Sequence, residues 1–146
     1  MRVELIAFTG RGSALAERLA EALTRAGCPA ACTREGLRVE AWAARAFGRS
    51  EALVFVGAAG IAVRAIAPCL RHKSTDPAVV VVDEAGRYAV PILSGHLGGA
   101  NDLARRIAAL TGGEAVLTTA TDVNGVFAAD QWARRQGLLV PWPERI

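Results

Sequence analysis

Aromatic residues are scarce in this 146-residue chain, at 5%, while apolar residues make up 52%. Ala, Val, Leu and Ile must therefore fill the interior, a mix that suits a sheet covered by Ala-rich helices better than an all-β sandwich. The three cysteines, Cys28, Cys32 and Cys69, are an odd number and follow no metal-ligand spacing. They read as small core residues in a reducing compartment, so a cytoplasmic location is expected. Only two histidines occur, His72 and His96, with no third ligand beside them, which speaks against a protein-bound catalytic metal. Long hydrophobic runs are missing too. The longest, Ala52 to Val63, stops at Arg64 and is too short to span a bilayer, and the chain opens on strand-like residues without a leader, so no membrane association is expected. Charged residues at 21% argue against disorder. A net charge of +3 over scattered arginines leaves no nucleic-acid footprint, though it suits a small polyanionic ligand.

What is present reads as alternating strands and helices. Val3–Phe8 is strand-like and leads through Thr9-Gly10-Arg11-Gly12-Ser13 into a helix with Leu15, Leu19 and Leu23 on one face. Ser13 is the expected N-cap, and Gly27 and Pro29 end the helix. A short strand near Ala30–Thr33, a helix across Glu40–Phe47 and a buried strand at Ala52–Val56 follow, then a helix ending at Pro68. Ala78–Asp83 and Tyr88–Leu93 are strands joined by Glu84–Arg87, which reads as a hairpin loop. A helix runs to Leu110, Ala115–Thr118 is the last clear strand, and a short helix is expected near Gln131–Gln136 before an extended Pro141–Pro143 tail. The expected architecture is a single α/β domain over residues 1–146, a three-layer αβα sandwich. Its sheet is mostly parallel, and mixed if the hairpin holds.

Four polar, glycine-containing segments follow strands: Thr9–Ser13, Gly57–Gly60, Ser94–Asn101 and Thr118–Gly125. If their strands run parallel, all four gather at one rim, where open α/β sheets bind ligands. Thr9–Ser13 is either an anion-holding loop or a plain tight turn. It lacks the third glycine of a dinucleotide fingerprint, and no Gly-Lys-Ser/Thr loop exists. Arg64, after Gly57–Gly60, is either a ligand contact or a surface ion pair. Ser94–Asn101 sets His96 among three glycines where a helix begins, so a neutral imidazole there is either a general base or a backbone cap. Ser94 lacks the Gly-x-Ser-x-Gly elbow, so no hydrolase triad can be assigned. Thr118–Gly125 offers hydroxyls, a carboxylate and an amide, with Thr119, Thr121 and Asn124 as substrate contacts. Asp122 either orients His96 or acts as base itself, and the same Asp122 and Asn124 also fit an ordinary turn.

These residues carry a resemblance. Gly60-Ile61-Ala62-Val63-Arg64-Ala65-Ile66-Ala67-Pro68, Lys73–Asp83, Leu93-Ser94-Gly95-His96-Leu97-Gly98-Gly99-Ala100-Asn101 and Thr118-Thr119-Ala120-Thr121-Asp122 come in the order of the cobalt-precorrin 5A hydrolase family, amino-terminal domain. The match is dense from about Leu53 to Asp130, with 126–146 as a carboxyl-terminal extension. The resemblance implies cobalamin biosynthesis by the anaerobic route: water opens a δ-lactone on a cobalt corrinoid, and acetaldehyde leaves. On that reading His96 and Asp122 are the catalytic candidates. Ser94, Gly95, Gly98, Gly99, Asn101, Thr119, Thr121 and Asn124 line the substrate, and Arg64 and Lys73 meet its acidic arms. No cofactor of its own is implied, because the cobalt arrives with the substrate. Family members usually continue into a further carboxyl-terminal domain, so this chain is either the amino-terminal domain of such a protein or one half of a split protein whose carboxyl-terminal partner is separate. Two alternatives stand beside this: a non-catalytic corrinoid-binding module, and a flavodoxin-like nucleotide or flavin protein using Thr9–Ser13.

Overall fold

A computed structural model describes residues 1–33, 38–95 and 98–120. Among the described residues, six strands and four helices alternate: β1 Val3–Ala7, α1 Gly10–Arg25, β2 Ala30–Thr33, α2 Val39–Arg49, β3 Ala52–Val56, α3 Ala59–Ile66, β4 Ala78–Val82, β5 Tyr88–Leu93, α4 Ala100–Thr111 and β6 Glu114–Ala115. A short 3₁₀ turn, Ala67–Cys69, follows α3. The strands form one sheet in the order β2-β1-β3-β4-β5-β6. Parallel pairing joins β1 to β2 and β3, β3 to β4, and β5 to β6, whereas β5 runs antiparallel to β4.

Sequence explains the layers. All five residues of β3 and of β4 are buried, because each faces helices on both sides of the sheet. Alternate side chains divide between two cores. Leu5, Val54, Val56, Val80 and Val82 pack against Leu15, Leu19 and Leu23 of α1 and Leu103 and Ile107 of α4. Ile6, Leu53, Phe55, Val79 and Val81 pack against α2 and α3. Trp42 is the largest side chain there, fully buried edge-on to Phe55 at 5.2 Å, with its indole N–H donating to Thr33 Oγ1 at 2.9 Å. Near the start of β1 the buried carboxylate of Glu4 accepts from the Arg49 guanidinium (Nε at 3.0 Å, and Nη2) and from the Ser50 hydroxyl. The Arg49 hydrogen bonds hold this carboxyl below its ordinary value, against the opposing pull of burial.

Three expectations are corrected. Helix α1 starts earlier than its leucine stripe: Thr9, not Ser13, is the N-cap, its Oγ1 accepting from Gly12 N at 3.0 Å. The last strand is Glu114–Ala115 rather than Ala115–Thr118. The helix after Gly57–Gly60 ends at Ile66, its continuation to Cys69 tightening into the 3₁₀ turn as Pro68 removes an amide donor. The 126–146 extension, the helix near Gln131–Gln136 and the tail lie outside the described residues.

Candidate functional site

The direction of β5 decides where the polar segments meet. Val3, Ala52 and Ala78 begin three parallel strands in register, while Leu93, the end of β5, pairs with Val79. Ser94 therefore emerges at the amino edge of the parallel strands. β6 runs with β5, so Thr119 leaves toward that edge as well. Thr9–Ser13 and Gly57–Gly60 sit at the opposite, carboxyl edge. The four segments expected at one rim thus form two pairs on two rims, because the β4–β5 hairpin reverses the chain.

At the amino edge the backbone is wound tightly. Ser94 takes a left-handed conformation, φ 58°, which a serine adopts only at a cost of about 1 kcal/mol or more. Its hydroxyl donates to Asp76 O at 3.1 Å, tying the segment to the loop that enters β4. The Ser94 and Gly95 carbonyls accept from Ala100 N at 3.1 Å and Asn101 N at 3.0 Å, closing the segment over the start of α4. A side chain at Gly98 would press into Ser94 Cβ and stand 2.9 Å from Ser94 O, so only glycine fits. Gly99, the N-cap of α4, lies at φ 85°. The N–H groups of Gly98 and Gly99 make no hydrogen bond among the described residues and lie at the amino terminus of α4. Asn101 is fully buried, and its Nδ2 donates to Thr119 Oγ1 at 3.1 Å, which joins α4 to the segment after β6.

The structure thus brings together Ser94, Gly95, Gly98, Gly99, Asn101 and Thr119. Lys73 lies on the 70–77 loop that Asp76 anchors to Ser94, and Arg64 in the last turn of α3, which ends toward the same edge; both side chains are exposed. His96, Thr121, Asp122 and Asn124 lie outside the described residues. Sequence reading missed the part played by Asp76, whose backbone oxygen holds Ser94; the Asp-Pro pair beside β4 marked a turn but not its partner.

The carboxyl edge is built differently. Thr9 Oγ1 also donates to the Glu84 carboxylate at 2.6 Å. That puts a negative charge beside the glycine loop, the reverse of what a phosphate needs, so the flavin or nucleotide reading loses its footing there. Among the described residues no group of three or more His, Cys, Asp or Glu is arranged to hold a metal ion, and no helix is long and apolar enough to cross a membrane.

The class is an α/β sandwich in which the glycine-containing segment after β5 is bonded, through the Ser94 and Gly95 carbonyls, to the start of α4. Comparison narrows the class. Residues 41–122 match the family described as Cobalamin synthesis G N-terminal, and the chain belongs to that family. The cobalt-precorrin-5A hydrolase of Salmonella typhimurium (strain LT2) is 46% identical over 142 residues, covering 90% of this chain and 39% of its own length. That of Priestia megaterium is 44% identical over 91 residues, covering 62% of this chain and 24% of its own length. The crystal structure of a cobalamin biosynthesis protein G homolog from Sulfolobus solfataricus superimposes with a TM-score of 0.69 at 27% identity, over 80% of this chain and 36% of that one. The chain spans well under half the length of the relatives it matches.

Proposed function

We propose that this domain serves in the hydrolytic opening of the δ-lactone of cobalt-precorrin 5A, with release of acetaldehyde to give cobalt-precorrin 5B. The observation that supports this is the amino-edge arrangement: two glycine amides with no hydrogen bond among the described residues, a strained serine and an asparagine–threonine tie, in a chain 46% identical to a cobalt-precorrin-5A hydrolase.

The chemistry sets what the residues must do. Water adds to the lactone carbonyl, and the acyl–oxygen bond breaks to leave a carboxylate and a carbinol. The carbinol then loses its proton and the carbon–carbon bond to the ring breaks. Acetaldehyde departs, and the electron pair stays on the ring carbon, which takes up a proton. His96 acts as general base for the water or the carbinol, with Asp122 orienting it or taking its place. The Gly98 and Gly99 amides hold the developing oxyanion or the new carboxylate. Ser94, Gly95, Asn101, Thr119, Thr121 and Asn124 bind the polar periphery of the ring, and Arg64 and Lys73 pair with its acetate and propionate arms.

The test is incubation with cobalt-precorrin 5A and trapping of acetaldehyde, with and without the remaining region of the longer relatives supplied as a second polypeptide. Turnover is expected in at least one arm, and His96→Ala should lower it by about 10²- to 10⁴-fold. Release only in the two-polypeptide arm would assign this domain substrate binding within a shared site. No acetaldehyde in either arm overturns the hydrolase reading, and full turnover by His96→Ala removes the base assignment.

A further inference from the structure

We infer that a groove of about 360 Å³ between α2 and the 70–77 loop is a separate subsite, taking one carboxylate-bearing aliphatic arm of the substrate ring. The inference rests on the corrinoid reading above. Phe47, Pro68 and Cys69 supply apolar wall, and Arg71, Thr75 and Asp76 the polar margin. At this volume the groove sits at the low end of the roughly 300–1,000 Å³ of small-molecule sites, too small for a tetrapyrrole ring and ample for an arm.

Charge fits the same occupant. Among the described residues no hydrogen bond or ion pair engages the Arg71 guanidinium or the neighbouring Lys73 ammonium. The single carboxylate at the margin, Asp76, has both oxygens 3.1 Å from the Arg71 backbone N–H, which fixes it on the loop; its one negative charge is outnumbered by the Arg71 and Lys73 cations. An apolar wall beside an unpaired guanidinium matches methylenes ending in a carboxylate. The wall is ordered beforehand: Thr75 N and Asp76 N both donate to His72 O, at 3.0 and 2.8 Å. Asp76 O in turn accepts from the Ser94 hydroxyl, so one short loop borders both the groove and the glycine segment. An arm seated here anchors the ring across the amino edge.

The experiment is a visible-absorption titration of this chain with cobyrinic acid, a cobalt corrinoid with free acid arms, and with its fully methyl-esterified form. The native chain should bind the acid more tightly. Arg71→Ala should erase roughly three- to tenfold of that preference and leave ester affinity unchanged. Arg71→Lys should keep part of it. Ala44→Glu, an exposed position on the groove wall, should lower acid affinity without unfolding. Equal affinity of the native chain for acid and ester, or an Arg71→Ala preference like the native one, overturns the subsite while corrinoid binding stands. Absence of binding to both compounds, with the remaining region of the longer relatives supplied as well, overturns the two readings together.

Discussion

The two edges of the sheet share a vocabulary and differ in construction. Both carry glycine-containing turns leading into helices. At the carboxyl edge the clearance varies: a side chain at Gly10 or Gly60 would meet nothing within 4 Å, whereas one at Gly12 would stand 3.1 Å from Thr9 Oγ1 and one at Gly57 3.0 Å from the Phe8 ring. At the amino edge a side chain at Gly98 would collide with Ser94, and one at Gly95 would stand 2.8 Å from Asn101 Oδ1. Glycine counts alone make the rims look equal. What separates them is degree: among these turns only the contacts at Gly95 and Gly98 fall under 3.0 Å, closer than a Cβ can stand, and at Gly98 one of the blocking atoms is backbone.

The largest expected effect follows from that contrast. Gly98→Ala should cost about 2–3 kcal/mol, as overpacking does in a filled interior. Gly60→Ala, in the first turn of α3, should change stability by no more than about 0.5 kcal/mol, in the favourable direction. Urea unfolding of both variants measures the difference, and equal losses would dissolve the distinction between the rims.

The buried ion pair near the amino edge gives the next effect. Glu4→Gln should lose about 1–2 kcal/mol at neutral pH, since a carboxylate held by a guanidinium and a hydroxyl becomes a neutral amide. The folded-state value of Glu4 lies below its ordinary 4.5, so its contribution is fully present above that pH and drains away as pH falls through the lowered folded value. Urea midpoints measured between neutral and acid pH should show this fall, and the Glu4→Gln protein should show less of it. An identical acid profile would leave Glu4 without a stabilising charge.

The smallest effect belongs to the carboxyl edge. Thr9→Ala removes the cap of α1 and should cost about 1 kcal/mol, while Ser13→Ala should stay within about 0.5 kcal/mol. Thermal unfolding of the pair sharpens the assignment, and the opposite ranking would return the cap to Ser13.

Much of the architecture was legible because the buried strands are continuous apolar runs and the leucine stripe of α1 has an unmistakable helical period. The start of α1 was not, since Thr9 and Ser13 offer the same hydroxyl, and a Gly-Arg-Gly stretch gives no sign that it is already helical. The site was half legible. Ser94–Asn101 was singled out from its composition, and Asn101 and Thr119 proved to be bonded partners. The gathering of four loops failed on a point the residues already held: Glu84–Arg87 reads as a hairpin, and a hairpin sends the end of β5 to the far side. The groove beside Arg71 was invisible, because its walls come from α2 and a loop about thirty positions downstream.

The brevity of β6 has a consequence for the chain beyond it. Its ladder with β5 covers only Tyr88 and Ala89, flanked by bonds from Glu114 N to Arg87 O and from Val116 N to Ala89 O. Two positions on, Pro91 has no amide hydrogen to offer, and the β4–β5 register slips between Val79 and Val80. A zipper halted there frees the strand to peel away, and so lets Thr119 reach the flank of α4 instead of lying flat in the sheet. Restoring a donor with Pro91→Val would invite the pairing to run on, at the expense of the bond between Asn101 and Thr119.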